Sequence, residues 1–374
     1  MIGIFGVGIN EYCLILLILA MLIFQLNTTL YSLKAFYKNN QLVTALSILF
    51  LLFCSAGYLV GLNYGNLGNT LAQYFRLILF LFFLIPLPFV ITHQRIASIK
   101  SSMYFIYVGI LLSAIINLIL YVLGDYVLLS LRGQNEIGDK VAMFFPFVLY
   151  FSIIHKNKLY NFLKISIFLI TSFLSLSKGS WLTITFILIC FSFLKLRYTL
   201  KYIPLILFVF VIIDNNYGEN IRWLLNVEIT ASEGAGSNYQ RIATALSGFY
   251  IAFDYPFGIG TAYQEIVHQY VSQLNMRWIQ PDPHNTLAHV SSVSGFGGLI
   301  SYLGILFFAM LTIIQQELYD KDFTYMIFGI FLSSIILMQF SGIYYTQALW
   351  WLFLGICFSF KIAPKTHYYL ESAN

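Results

Sequence analysis

Residues 102–123 read SMYFIYVGILLSAIINLILYVL, an apolar run without one acidic or basic side chain. At a rise of about 1.5 Å per residue, such a run makes a helix of about 33 Å, enough to cross the hydrocarbon core of a bilayer. A helix satisfies every backbone N–H and C=O within its own segment, which is what a lipid environment demands. The run reads as a membrane-crossing helix.

Working outward, comparable runs recur near 12–31, 41–61, 71–92, 141–154, 160–176, 181–195, 202–213, 285–314, 323–341 and 343–360. The runs at 141–154 and 202–213 are short for a crossing and must borrow flanking residues or tilt little. Composition agrees. Hydrophobic residues make up 59% of the 374, charged residues 9%, and mean hydropathy is +0.81. A soluble domain carries roughly 25% charged residues, so a water-facing surface is excluded for most of this chain. Aromatic residues reach 18%, with Phe and Tyr far above Trp. The first run has neither a basic leader nor a small-residue cleavage site, and reads as a retained span. The expected fold is all-α, a polytopic transmembrane bundle of about 11–12 spans, with helices in 1–213, one large external loop at 214–284, and further helices and a tail in 285–374. Cys13, Cys54, Cys190 and Cys357 all fall inside apolar runs and read as small buried hydrophobes.

Basic residues orient the bundle. Alternate connections carry Lys34 and Lys38; Arg95 and Lys100; Lys156, Lys158 and Lys164; Lys195, Arg197 and Lys201; Lys321; and Lys361 and Lys365, thirteen of the twenty Lys and Arg. That side is assigned to the cytoplasm. Arg76, Arg132, Lys140, Lys178, Arg222, Arg241 and Arg277 fall on the other. The loop of about 70 residues from Asp214 to His284 is the long connection, and a loop that long in a compact protein is usually functional. Its segments 240–253 and 262–278 read as amphipathic helices at the bilayer surface. No charged residue falls in the middle of a run, which argues against an ion-coupled carrier.

Two features could carry chemistry. In Pro281-Asp282-Pro283-His284-Asn285-Thr286-Leu287, two prolines fix the chain just before a long apolar helix, and His284 stands at that helix's start. A neutral imidazole there could take a proton from an attacking hydroxyl. It could equally be a capping or hydrogen-bonded interfacial histidine. The second feature is the set of external cations Arg241, Lys178 and Arg132. Guanidinium groups clamp phosphate oxygens in a fork and lysine adds a point charge, as a lipid diphosphate would require. Singly, each also reads as a solvated loop charge. Asp254, Asp282 and Glu265 are nearby carboxylates more typical of caps. His289, five residues from His284, is poorly spaced for a shared metal. No HExxH, CxxC or GxxxxGK[ST] is present, so neither a metal nor another cofactor is expected.

Taken in order, these segments resemble the O-antigen polymerase and ligase superfamily. His284-Asn285, then Gly295 and Gly298-Leu299, is similar to its HN…G..GL signature. Arg241, Asp254 and Pro256-Phe257-Gly258-Ile259-Gly260 resemble its R…D.P..G.G segment. Ser177-Lys178-Gly179-Ser180-Trp181 resembles its SRG.W motif, with Lys178 in place of arginine. Val293 stands where an acidic residue often precedes the glycine, and Ala245 where an aromatic residue follows the loop arginine. The motifs cover roughly 165–315.

The resemblance implies a glycosyltransferase of the bacterial inner membrane working at the periplasmic face. A glycan would move from undecaprenyl diphosphate to a hydroxyl acceptor without metal or nucleotide sugar. Arg241, with Lys178 or Arg132, would neutralise the diphosphate, and His284 would act as base. Asn285, Asp254, Gly258, Gly260, Gly295 and Gly298 would shape the site. Drift at the motif positions favours the polymerase, whose acceptor is another lipid-linked repeat unit, over the ligase, whose acceptor is lipid A-core. Partners expected are the lipid-linked glycan, membrane lipids and a chain-length-regulating protein, with no nucleic acid. A flippase for lipid-linked sugars would require charges along a central cavity and repeat symmetry, and neither is legible. A structural scaffold would not gather cations outside.

Overall fold

The computed structural model describes residues 26–63, 67–93, 99–123, 134–154, 158–175, 177–199, 237–271, 285–315, 321–340 and 348–359, and every regular element among them is a helix. In chain order these are α1 Leu26–Asn39, α2 Gln41–Leu62, α3 Leu67–Leu79, a π-helical turn Phe80–Leu84, α4 Leu87–His93, α5 Ile99–Val122, α6 Gln134–Ile154, α7 Lys158–Leu174, α8 Lys178–Thr199, α9 Ser237–Asp254, α10 Tyr263–Val271, α11 Thr286–Gln315, α12 Lys321–Leu337 and α13 Ala348–Ser359. The runs near 12–25 and 202–213 lie outside the described residues.

Among the described residues, four stretches are long and apolar enough to cross a membrane: Gln41–Leu62, Gln73–Val90, Met103–Leu120 and Thr286–Gln315. Their outer faces support that reading. On α5, Met103, Tyr107 and Ala114 are buried, yet the opposite face presents Phe105, Leu112, Ile116 and Ile119. On α2, Leu42, Ile48, Leu49, Leu52 and Leu59 are likewise exposed. A helix that is apolar all round is stable in lipid, where these side chains cost nothing to expose.

The helices form two compact units. The first contains α1 to α4, α9 to α11 and α13, with α2 against α11 as its most extensive pairing. Phe50, Tyr302 and Trp351 cluster there, and the Trp350 indole donates to the Tyr302 hydroxyl at 3.0 Å. The second contains α5 to α8 and α12, with α6 packed on α7, α8 and α12. Pro146 sits inside α6, and Gly329 of α12 faces its ring, where an added Cβ would lie 3.0 Å from the Pro146 Cβ.

The run 71–92 is not one straight helix, and Pro86 explains why. Proline has no N–H for the carbonyl four residues back, here Phe82, and its ring crowds that turn. The helix widens into the π turn, where Ile85 N–H bonds the Phe80 carbonyl at 3.1 Å. The Tyr37 hydroxyl of α1 donates to the Phe82 carbonyl at 2.5 Å. In a membrane a carbonyl left short of donors is costly. Tyr37→Phe should therefore lower stability by about 1–3 kcal/mol, read as a lower Tm of the detergent-solubilised protein. An unchanged Tm would show that the Phe82 carbonyl does not depend on Tyr37.

The run at 141–154 extends into flanking residues, as its shortness required: Gln134 to Lys140 begin α6, which carries Asp139 and Lys140 within it. One expectation is corrected. Lys164, counted above with loop cations, lies inside α7, buried at 3% exposure with its Nζ 3.7 Å from the centre of the Tyr160 ring. Burying the ammonium against that ring supplies a cation–π contact in place of water. Charge-free helix bodies are thus not a property of α6 and α7. Cys54 and Cys357 are buried and Cys190 is half-buried, all as free thiols; Cys13 lies outside the described residues.

Candidate functional site

In the first unit, α9 and α11 run side by side in the same direction. Gly248 of α9 meets Ala288 of α11 so closely that an added Cβ would lie 2.7 Å from the Ala288 carbonyl oxygen. Further along, Phe253 packs edge-on against Phe296 with ring centres 4.6 Å apart. The Ser291 hydroxyl donates to the Gly248 carbonyl at 3.1 Å. Arg241 precedes Gly248 by seven residues and Asn285 precedes Ala288 by three. Both therefore lie toward the same end of the helix pair.

At that end Asn285 has a defined role. Its Oδ1 accepts from the Ala288 N–H at 3.0 Å, the pattern of a helix N-cap. His284 is the residue before the cap and lies outside the described residues. The backbone of Arg241 belongs to α9, one turn before Thr244, which is buried. The Tyr263 hydroxyl of α10 donates to the Thr244 carbonyl at 3.0 Å, and the Tyr263 ring meets His289 edge-on with centres 6.3 Å apart. His289 is a packed side chain on the inner face of α11.

The glycines named from the sequence meet here. Gly295, at φ 65° and ψ −173°, breaks α11. The carbonyls just before the break turn to the loop after α9: Ile259 N–H bonds the Ser292 carbonyl at 2.8 Å, and Gly260 N–H bonds the Val293 carbonyl at 3.1 Å. Gly258 and Gly260 also have positive φ, 81° and 56°. Alanine at Gly258 would put Cβ 2.2 Å from the Val293 oxygen, and alanine at Gly295 would put Cβ 1.9 Å from the Pro256 oxygen. The Pro256–Gly260 loop and the break in α11 are thus one interlocked piece of backbone. Gly298 lies one turn on, against Ser294 and Phe53. Asp254 is exposed at the end of α9 and accepts a hydrogen bond from the Tyr270 hydroxyl of α10, which ties those helices together. Glu265 is exposed in the first turn of α10. Asp282 lies outside the described residues.

Sequence reasoning missed the third member of this lock. Gly57 and Gly61 of α2 face the same loop: an added Cβ at Gly57 would lie 2.0 Å from the Val293 oxygen, and at Gly61 3.0 Å from the Ile259 oxygen. The signal was in the sequence. Gly57 and Gly61 form a Gly-x-x-x-Gly pair in an apolar run, a pattern that lets backbones approach closely.

The second unit contains the Ser177–Trp181 segment. Ser177 caps α8, its Oγ accepting from Ser180 N–H at 3.3 Å. The Trp181 indole donates to the Ser172 carbonyl at the end of α7, at 3.1 Å. Gly179 lets Phe340 approach; an added Cβ would lie 2.9 Å from the Phe340 Cβ. Lys178 is the first residue of α8. A second residue missed from the sequence, Asp139 of α6, accepts from the hydroxyls of Ser177 and Ser180 at 2.8 and 2.9 Å. Arg132 lies outside the described residues. Arg241, Asn285, Asp254, Gly258, Gly260, Gly295 and Gly298 therefore belong to one unit and Lys178 to the other.

Compared with protein-family models and with curated proteins, the chain matches none.

Proposed function

We propose that the chain is a surface-polysaccharide polymerase of the O-antigen type. It transfers a glycan from an undecaprenyl-diphosphate carrier to a hydroxyl of a second lipid-linked repeat unit at the periplasmic face of the bacterial inner membrane. The observation that carries this reading is the interlock of the Pro256–Gly260 loop with the break at Gly295, beside the parallel pair α9 and α11. Segments that resemble separate family motifs are joined by backbone hydrogen bonds, and Arg241 and the cap next to His284 lie toward one end of the pair.

The chemistry follows from the residue types. The acceptor oxygen attacks the anomeric carbon, and the bond from that carbon to the diphosphate oxygen breaks on the opposite face, inverting the centre. His284 takes the acceptor's proton as the new glycosidic bond forms. The departing diphosphate gains negative charge, which the Arg241 guanidinium offsets through paired N–H donors. The helix cap at Asn285 fixes where α11 begins.

The test uses His284→Ala and Arg241→Ala separately in cells lacking the native gene, with membrane levels checked by immunoblot. Normally inserted variants should give lipopolysaccharide bearing a single repeat and no ladder. Loss of all repeats with accumulation of long lipid-linked polymer would identify a ligase instead. Loss of surface glycan with repeat units trapped on the cytoplasmic leaflet would identify a flippase. A full ladder in both variants would overturn the assignment of these residues.

A further inference from the structure

We propose that Lys164, together with the Tyr107 hydroxyl, binds the phosphate of an anionic lipid headgroup. The lysine belongs to α7 in the second unit and is not among the residues assigned to the transfer reaction. It is buried at 3% exposure, with its Nζ 3.7 Å from the centre of the Tyr160 ring and 5.7 Å from that of Tyr107. Among the described residues, no ion pair and no hydrogen bond engages its three N–H donors. Aromatic faces answer such a charge only in part. An ammonium taken out of water without an acceptor is strongly disfavoured, and its natural complement is an anion. The Tyr107 hydroxyl, in the same cluster, is also buried without a hydrogen-bond partner. Two donors with no acceptor between them describe a site for a group rich in acceptor oxygens and negative charge, which a phosphate is.

The position selects a lipid as the carrier of that phosphate. Lys164 stands six residues into α7, about 9 Å along its axis. Its Nζ reaches back over Tyr160, four residues earlier, toward the helix start. Helical side chains lean that way, and a lysine near the end of a membrane helix uses the lean to reach the headgroup level. The start of α5 lies at the same end, since Tyr104 packs on Phe151, three residues before α6 finishes and seven before α7 begins. Lys158 is the first residue of α7 and Lys100 the second of α5, so the backbone places further positive charge at this end. The rim is apolar: Leu159 and Leu163 of α7 and Phe105 of α5 are exposed. Free phosphate gains nothing from such a rim, whereas acyl chains pack on it. Basic pockets between membrane helices hold lipid headgroups in this way. The Tyr107 ring is pinned against Phe147, Phe151 and Phe168. Tyr160, half-exposed, is the side chain that can turn aside from the ammonium to admit the headgroup.

The experiment follows the Tm of the purified full chain, stripped of lipid in a neutral detergent, as phosphatidylglycerol is added to the micelles. Phosphatidylcholine and inorganic phosphate are run as parallel probes. Phosphatidylglycerol should raise the parent's Tm by about 3 °C or more at saturation, and the other two by much less. Lys164→Met keeps the apolar stem and removes the charge. Its Tm without lipid should be at or above the parent's, because a buried charge without its anion is gone, and phosphatidylglycerol should then add no more than phosphatidylcholine does. Lys164→Arg should respond like the parent. Tyr107→Phe should raise the phosphatidylglycerol fraction needed for half the shift by about fivefold. A parent that responds alike to phosphatidylglycerol and phosphatidylcholine, or a Lys164→Met variant that shifts as far as the parent, would overturn the proposal. An equal rise with inorganic phosphate at equal concentration would overturn the lipid as the source of the phosphate. Should Lys164→Met fail to accumulate, Tyr107→Phe decides, and a parent-like half-saturation there overturns the site. No transfer is measured, so the result stands apart from the polymerase reading.

Discussion

Gly295→Ala should leave almost no folded protein in the membrane fraction, and Gly258→Ala should do nearly as much damage. Two costs add at each position. The first is conformational: Gly295 at φ 65° and ψ −173° sits in a region that only glycine occupies readily, which costs another residue about 1–3 kcal/mol. The second is steric, and no side chain can relieve it. At Gly295 the new Cβ meets Pro256 O at 1.9 Å, Pro256 C at 2.5 Å and Gly258 N at 2.9 Å. At Gly258 it meets Val293 O at 2.2 Å, Val293 C at 2.4 Å and Ser294 N at 2.5 Å. Either change must pull the loop off α11, and the hydrogen bonds from Ile259 N–H and Gly260 N–H to the Ser292 and Val293 carbonyls go with it. The sum is on the order of 3 kcal/mol or more, a large part of the stability of an ordinary domain. Immunoblots of membrane fractions and the Tm of whatever purifies are the measurements. Parent-like amounts with a parent-like Tm would mean that the interlock is absent in the native protein.

The positions of the helices were legible because apolar runs in a membrane protein are nearly the helices themselves. The run at 41–61 becomes α2, 102–123 becomes α5, and 285–314 becomes α11. What hydropathy could not see was polar helix. The beginning of α6, Gln134 to Lys140, carries five charged or amide side chains in seven residues, so a sliding average ends the run at Val141. The break inside α11 was invisible for another reason: Gly295 stands among small residues (Ser291, Ser292, Ser294, Gly297 and Gly298) that do not interrupt the hydropathy of the run, and only the positive φ reveals it. The π turn needed two pieces of information together, Pro86 and a partner for the Phe82 carbonyl on α1, which lies 45 residues away.

The candidate site was legible as a set of pieces. Asn285, Gly258, Gly260 and Gly295 were named from motif order, and each has a physical reason to be there. Asn285 caps a helix, and the three glycines give the backbone conformations or approaches that a Cβ would forbid. Their convergence was not legible, because nothing in a linear motif says that Val293 will accept from Gly260. Asp139 was missed for a simpler reason. A single carboxylate at the edge of an apolar run looks like a solvated end, and its two serine donors lie 38 and 41 residues on. His289 shows the converse: a histidine near the motif was set aside as a metal ligand on spacing, and it packs against Tyr263.

The interlock also separates steric from conformational cost, through glycines that sit in ordinary helix. Gly57→Ala should strongly reduce folded protein with no backbone strain to blame. Gly57 lies inside α2, where alanine is the better helix former by up to about 1 kcal/mol. That gain is set against a Cβ placed 2.0 Å from Val293 O, 3.0 Å from Phe257 O and 3.1 Å from Gly260 N, all backbone atoms of the interlock. Overpacking of this kind costs about 1–3 kcal/mol and more where nothing can rotate away, so the loss should exceed the propensity gain. Gly61→Ala, with nearest atoms at 3.0, 3.2 and 3.4 Å, asks for a shift of a few tenths of an ångström and should be milder. Gly109→Ala in α5 has nothing within 4 Å and should be neutral or slightly stabilising. The order expected in Tm is therefore Gly109→Ala at or above the parent, then Gly61→Ala, then Gly57→Ala lowest. Gly57→Ala behaving like Gly109→Ala would show that α2 does not reach the Val293 carbonyl. Val293 lies between Gly57 and Gly258, so alanine at either glycine displaces the same oxygen. Once one alanine has opened the lock, the second has less left to break, and the double variant should lose less than the two single losses combined.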